Sequence, residues 1–156
     1  MSATQIAMLI VASLAIGALG CGGPPAAART AVGISADAIV SLDHEFAARY
    51  TERAAAALEA SNTAAAYAEA MSGYESVRDA LHVATASVLA TESALDAWDA
   101  GDDDGEGFFA AAGCAAVALG HLRDGLVAIG VVPPKALDDA LALIIGFGTA
   151  VCHVGI

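Results

Sequence analysis

Positive charge is what this sequence has least of. Six Lys and Arg residues stand against 18 Asp and Glu, a formal net charge of −12. No Lys/Arg cluster offsets that acidity locally, so phosphate backbones are repelled and nucleic acid is excluded as a partner. Aromatic side chains amount to 5% and prolines number four, which leaves long stretches free of helix breakers. β-branched residues are too dispersed for alternating strands. Catalytic signatures are missing too. There is no Gly-x-Ser-x-Gly elbow, and no Cys–His or Ser–His pairing has supporting context. Carboxylates pair only on strongly charged segments expected to face solvent. No catalytic residue, enzymatic activity or cofactor is therefore expected.

What the chain does have is alanine. Much of its 58% hydrophobic content is Ala, the best helix former, whose small side chain lets helices pack closely. A length of 156 residues suits one domain with a sizeable core. The expected fold class is all-α, an antiparallel up-down four-helix bundle with coiled-coil-like packing.

The N-terminus reads differently from the rest. Met1 to Gln5 is short and polar, and Ile6 to Leu19 is an unbroken apolar run. At about 14 residues the run falls short of the ~20 needed to span a membrane, and reads as a signal-peptide core. Gly22, Gly23, Pro24 and Pro25 then bar helical continuation. Ala18-Leu19-Gly20-Cys21 resembles the lipobox of bacterial lipoproteins. That resemblance covers the N-terminus alone. It implies cleavage before Cys21, lipidation of Cys21, and a cell-envelope location anchored in the membrane through that lipid. Gly22, rather than Asp, after the cysteine implies the periplasmic face of the outer membrane in a Gram-negative cell. The organisation expected is a signal peptide over 1–20, a lipidated Gly/Pro tether over 21–26, and a helical domain over 27–156.

Four helices are predicted in that domain. The first runs from about Ala27 to Ala60, with Val32, Ile39, Leu42, Phe46, Tyr50 and Leu58 along one apolar stripe. Glu45 precedes Arg49 by four residues, the favourable order for an ion pair. Ser61-Asn62-Thr63 breaks the helix and supplies caps for the next. The second spans about Thr63 to Ala100. In it Tyr67, Tyr74, Leu81, Val88 and Leu95 recur every seven residues, each followed three later by Ala70, Val77, Ala84, Thr91 and Trp98. GDDDGEG at 101–107 forms an acidic turn whose last acids suit the positive end of the third helix, about Gly107 to Ile129. That helix carries Phe108, Ala112, Ala115, Leu119, Leu122, Leu126 and Ile129. Gly130 to Pro134 turns the chain, with Pro134 placed in the first turn of the fourth helix. Leu137, Leu141, Ile144, Gly148 and Val151 line the last helix. Gly113, Gly120, Gly146 and Gly148 are expected to permit close helix approach.

With Cys21 taken for lipid, Cys114 and Cys152 are left as a pair. In a hairpin about the Gly130–Pro134 turn they lie level to within about two residues, ~3 Å along the axis. A disulfide is expected between them, oxidised outside the cytoplasm. The alternative is two small buried thiols.

His44, His82 and His121 come within a few turns of one another in such a bundle, and Asp79 with His82 shares a helical face. Di-iron bundles require paired Glu-x-x-His elements and two further glutamates, which are absent, so no metal site is expected. Asp102, Asp104 and Glu106 alternate as in a calcium loop, but Gly113 stands where the closing glutamate belongs.

Two readings of function follow. The first is a lipid-anchored envelope protein with a non-enzymatic structural or protein-binding domain. The second is a small membrane-active, holin-like protein using Ile6–Leu19 and Ala140–Ile156, both free of Asp, Glu, Lys and Arg, as membrane segments. A metal- or haem-binding bundle ranks third.

Overall fold

The computed structural model describes residue 24 and residues 26–147. Cys21, Cys152, His153, the signal-peptide run and most of the apolar C-terminal stretch lie outside the described residues. Within those residues the chain is all-helical, with four helices and no strand: α1 (Ala26–Ala60), α2 (Ala64–Ala100), α3 (Glu106–Ala128) and α4 (Lys135–Ile145).

Local chemistry sets each boundary. Thr63 adopts extended backbone and its hydroxyl accepts from Ala66 N at 3.2 Å, which caps the free N–H groups of α2. Gly101, at φ 81°, ends that helix, with Asp102 N donating to Ala97 O and Gly101 N to Trp98 O. Those two bonds are the signature of a glycine-terminated helix, because L side chains resist a left-handed φ. The same pair closes α3 at Gly130, φ 75°, from Val131 N to Leu126 O and Gly130 N to Val127 O. At the start of α3 the Asp103 and Asp104 carboxylates accept from Gly105 N and Glu106 N, at 2.8 and 3.1 Å.

Pro134 sits one position earlier than expected. Its ψ of 143° is extended, and its carbonyl accepts from Leu137 N at 2.9 Å, so it precedes α4 as the cap rather than occupying the first turn.

The helices close into a ring. α1 packs on α2 and α4, and α3 on the same two, while the diagonal pairs α1/α3 and α2/α4 bring no Cα atoms within 8 Å of each other. Inside lie Val32, Ile39, Leu42 and Phe46 from α1, and Val77, Leu81, Val88 and Leu95 from α2. Leu119, Leu122 and Leu126 from α3 and Leu137 and Ile144 from α4 complete the centre. The heptad seam of α2 is buried from Val77 onward, with Ala84, Thr91 and Trp98 in their expected places. Its first turns differ: Tyr67, Ala70 and Tyr74 are half-buried, and Met71 takes the interior position. Buried hydroxyls are satisfied within their own helices, Ser35 on Ala31 O and Thr91 on Ser87 O, both at 2.8 Å.

Leu58 departs from the expected stripe and is 70% exposed, while Ala57 is buried. Each step of four residues rotates the face by about 40°. From Phe46 through Tyr50 to Leu58 the drift reaches roughly a third of a turn, whereas residue 57 comes back into line.

Close approach also occurs at glycines other than those expected. A methyl on Gly73 would meet Ile129 Cγ2 at 2.8 Å, and one on Gly125 would meet Val77 Cγ2 at 3.3 Å. Gly120 has nothing within 4 Å of that position, although Gly113 is buried. Both close pairs bring α2 against α3.

Candidate functional site

Trp98, Phe108, Phe109 and Phe147 cluster at one end of the ring, with centroids 5.5–5.7 Å apart. Phe108 is fully buried among them, and its tilted and edge-on contacts are those the ring quadrupole favours. This cluster joins the ends of α2, α3 and α4, a packing role.

A polar group bridges α1 and α2 further along. The Tyr50 hydroxyl donates to Glu75 Oε1, and Arg78 Nη2 holds Glu75 Oε2 at 2.6 Å. The Arg78 guanidinium also lies 5.8 Å from the centroid of the Tyr50 ring. The hydrogen bond to Glu75 raises the pKa of Tyr50 above its ordinary 10.0, with burial adding to the rise and Arg78 opposing it. A phenol held neutral in this way is a donor, and the group ties α1 to α2.

The sequence-level candidates are not brought into one site. His44, His82 and His121 are exposed on three different helices. Among the described residues no group of three His, Cys, Asp or Glu side chains is placed to hold a metal ion. Asp103 and Asp104 are engaged in the turn before α3. Cys114 is half-buried on α3, and Cys21 and Cys152 lie outside the described residues.

The Glu45–Arg49 pair expected on α1 is not formed. Each of the other five cations has a partner. Arg29 pairs with Asp99, Arg78 with Glu75, Arg123 with Asp138 and Lys135 with Asp139, and Arg53 donates to Ala70 O. Asp138 is the main reason the Arg123 pKa is raised, which keeps that side chain charged. Arg49 instead lines an open cleft with Glu45, between α1 and the α3–α4 turn. Leu42 and Phe46 form its floor and Val131 and Val132 its other wall. Its cavity volume is about 20 Å³, far below the ~300–1,000 Å³ typical of small-molecule pockets.

Sequence reading missed both the cleft and the tyrosine group. Tyr50 and Glu75 stand nearly level about the Ser61–Thr63 turn, so hairpin register was a signal for that pair. The cleft had none, since it depends on where the α3–α4 turn lands on α1.

The described residues thus form four helices with an acidic surface and a shallow, largely apolar cleft between α1 and the α3–α4 turn. Compared with protein-family models, curated proteins and solved structures, the chain matches none.

Proposed function

We propose that this chain is a lipid-anchored protein of the bacterial cell envelope, whose helical domain serves a non-enzymatic structural or protein-binding role. The observation that carries this reading is Ala18-Leu19-Gly20-Cys21 at the end of the Ile6–Leu19 apolar run. Cleavage before Cys21 and acylation of its thiol would tether the domain through the Gly22–Pro25 spacer.

The domain is read as an up-down-up-down bundle. In support, Arg29 meets Asp99 far from the α1–α2 turn, while Tyr50 meets Glu75 closer to it. Trp98 likewise meets Phe108 beside the α2–α3 turn, and Val77 lies near Gly125 further away. Contacts that close on each turn in this way are those of antiparallel neighbours.

Cys152 is the proposed partner of Cys114, because Cys21 is committed to lipid in this reading. Peptide mapping without reduction tests the assignment, and a Cys21–Cys114 peptide would overturn both the bridge and the anchor.

Palmitate labelling of cells making the chain, with Cys21→Ala beside it, tests the anchor directly. Label on the native chain and none on the variant is expected. Label that persists on Cys21→Ala refutes lipidation there. Among the described residues no helix is long and apolar enough to cross a membrane.

A further inference from the structure

We propose that the cleft between α1 and the α3–α4 turn is the seat of a symmetric contact between two copies of this chain. Three observations converge on it. Val132 is 87% exposed, more than any other large hydrophobic side chain among the described residues, and it stands on the rim of the cleft. It immediately precedes Pro133, which restricts its backbone to extended conformations, so little freedom is lost when it is seated. A side chain of this kind opposite a cleft floored by Leu42 and Phe46 is half of a self-complementary surface.

The charges supply the other half. Arg49 is the one cation among the described residues with no ion pair or hydrogen bond, in a chain of net charge −12. Glu45, one turn away on the same wall, is also without an ion pair. A two-fold axis through the cleft sets Glu45 of one copy against Arg49 of the other, and the reverse, so each contact occurs twice. Val132 of each copy then enters the cleft of the other. This arrangement resolves the unpaired charges and the exposed apolar side chain in one step.

Two acidic copies repel at long range, but at ~0.15 M ionic strength charges more than ~8 Å apart are largely screened. The opposed pairs at the contact lie inside that distance. The contact is therefore expected to strengthen when salt is raised from ~0.01 M to ~0.15 M. It is a weak, transient association, because the cleft is small.

The test is photo-crosslinking in cells with p-benzoylphenylalanine in place of Val132. A covalent adduct of twice the chain mass is expected, crosslinked to the Leu42–Arg49 stretch of the second copy. Arg49→Glu is expected to lower its yield about tenfold, equivalent to ~1.4 kcal/mol. The double variant Glu45→Arg/Arg49→Glu restores the yield. So does co-expression of the two single variants, one carrying Glu45→Arg and the other Arg49→Glu, because each then opposes the other's sign. Circular dichroism of each purified variant checks that the helices are intact. An adduct with a different protein overturns the proposal, as does the absence of any dimer adduct. A dimer indifferent to these charge changes also overturns it.

Discussion

Gly73→Ala separates two opposing effects at a single methyl group. In the interior of a helix, alanine is favoured over glycine by about 1 kcal/mol. Against that, the new carbon would sit 2.8 Å from Ile129 Cγ2, where carbon atoms prefer ~3.5–4.0 Å. Cγ2 is the branch methyl of a β-branched side chain at the C-cap of α3, so it cannot swing aside without a change of rotamer or backbone. Overpacking of this kind costs about 1–3 kcal/mol. The expected net is a loss of roughly 1 kcal/mol. In an Ile129→Ala background the obstructing methyl is gone, and the same Gly73→Ala change should stabilise by up to about 1 kcal/mol. The coupling between the two positions is then about 2 kcal/mol. Gly120→Ala is the control, since nothing lies within 4 Å, and it should stabilise in either background. Urea unfolding followed by far-ultraviolet circular dichroism reads all six proteins, provided the slope against urea is unchanged. If Gly73→Ala stabilises the native chain as much as the Ile129→Ala chain, the close approach of α2 and α3 is wrong.

Phe108→Ala should cost about 3–5 kcal/mol, because a fully buried ring that touches Trp98, Phe109 and Phe147 leaves a cavity. A change in the Tm of the purified domain measures it, and a loss under about 1 kcal/mol would contradict that burial. Thr63→Ala removes the hydroxyl that caps α2 and should cost about 1 kcal/mol in urea unfolding, whereas Thr63→Asn should cost little. Tyr50 has a pKa raised above 10.0 by Glu75, so its contribution to stability is complete below that pH and is lost as pH rises through the folded value. Tyrosinate absorbance should accordingly show a phenol ionising above pH 10.0 in the native chain, and Tyr50→Phe should delete that step.

Much of the fold was legible in the sequence because helix formation here is a local matter. Alanine content, the Thr63 cap, and glycines at 101 and 130 decide where α1, α2 and α3 begin and end through contacts within a few residues of each boundary. The seam from Val77 to Trp98 was readable for the same reason: a fixed rotation per residue turns spacing into a face. Where that rule was applied loosely, at Leu58, the reading failed, because the face rotates by about a third of a turn over twelve residues.

Left to itself, then, the sequence determined helix content, the positions of three breaks and the inward stripes, since all of these follow from nearest neighbours along the chain. Only tertiary structure decided which glycines face a neighbour, and that Arg49 stands beside an apolar cleft rather than on Glu45. Those features depend on how far one helix slides and rotates against another. That choice is made by side-chain packing across the interfaces, between residues far apart along the chain.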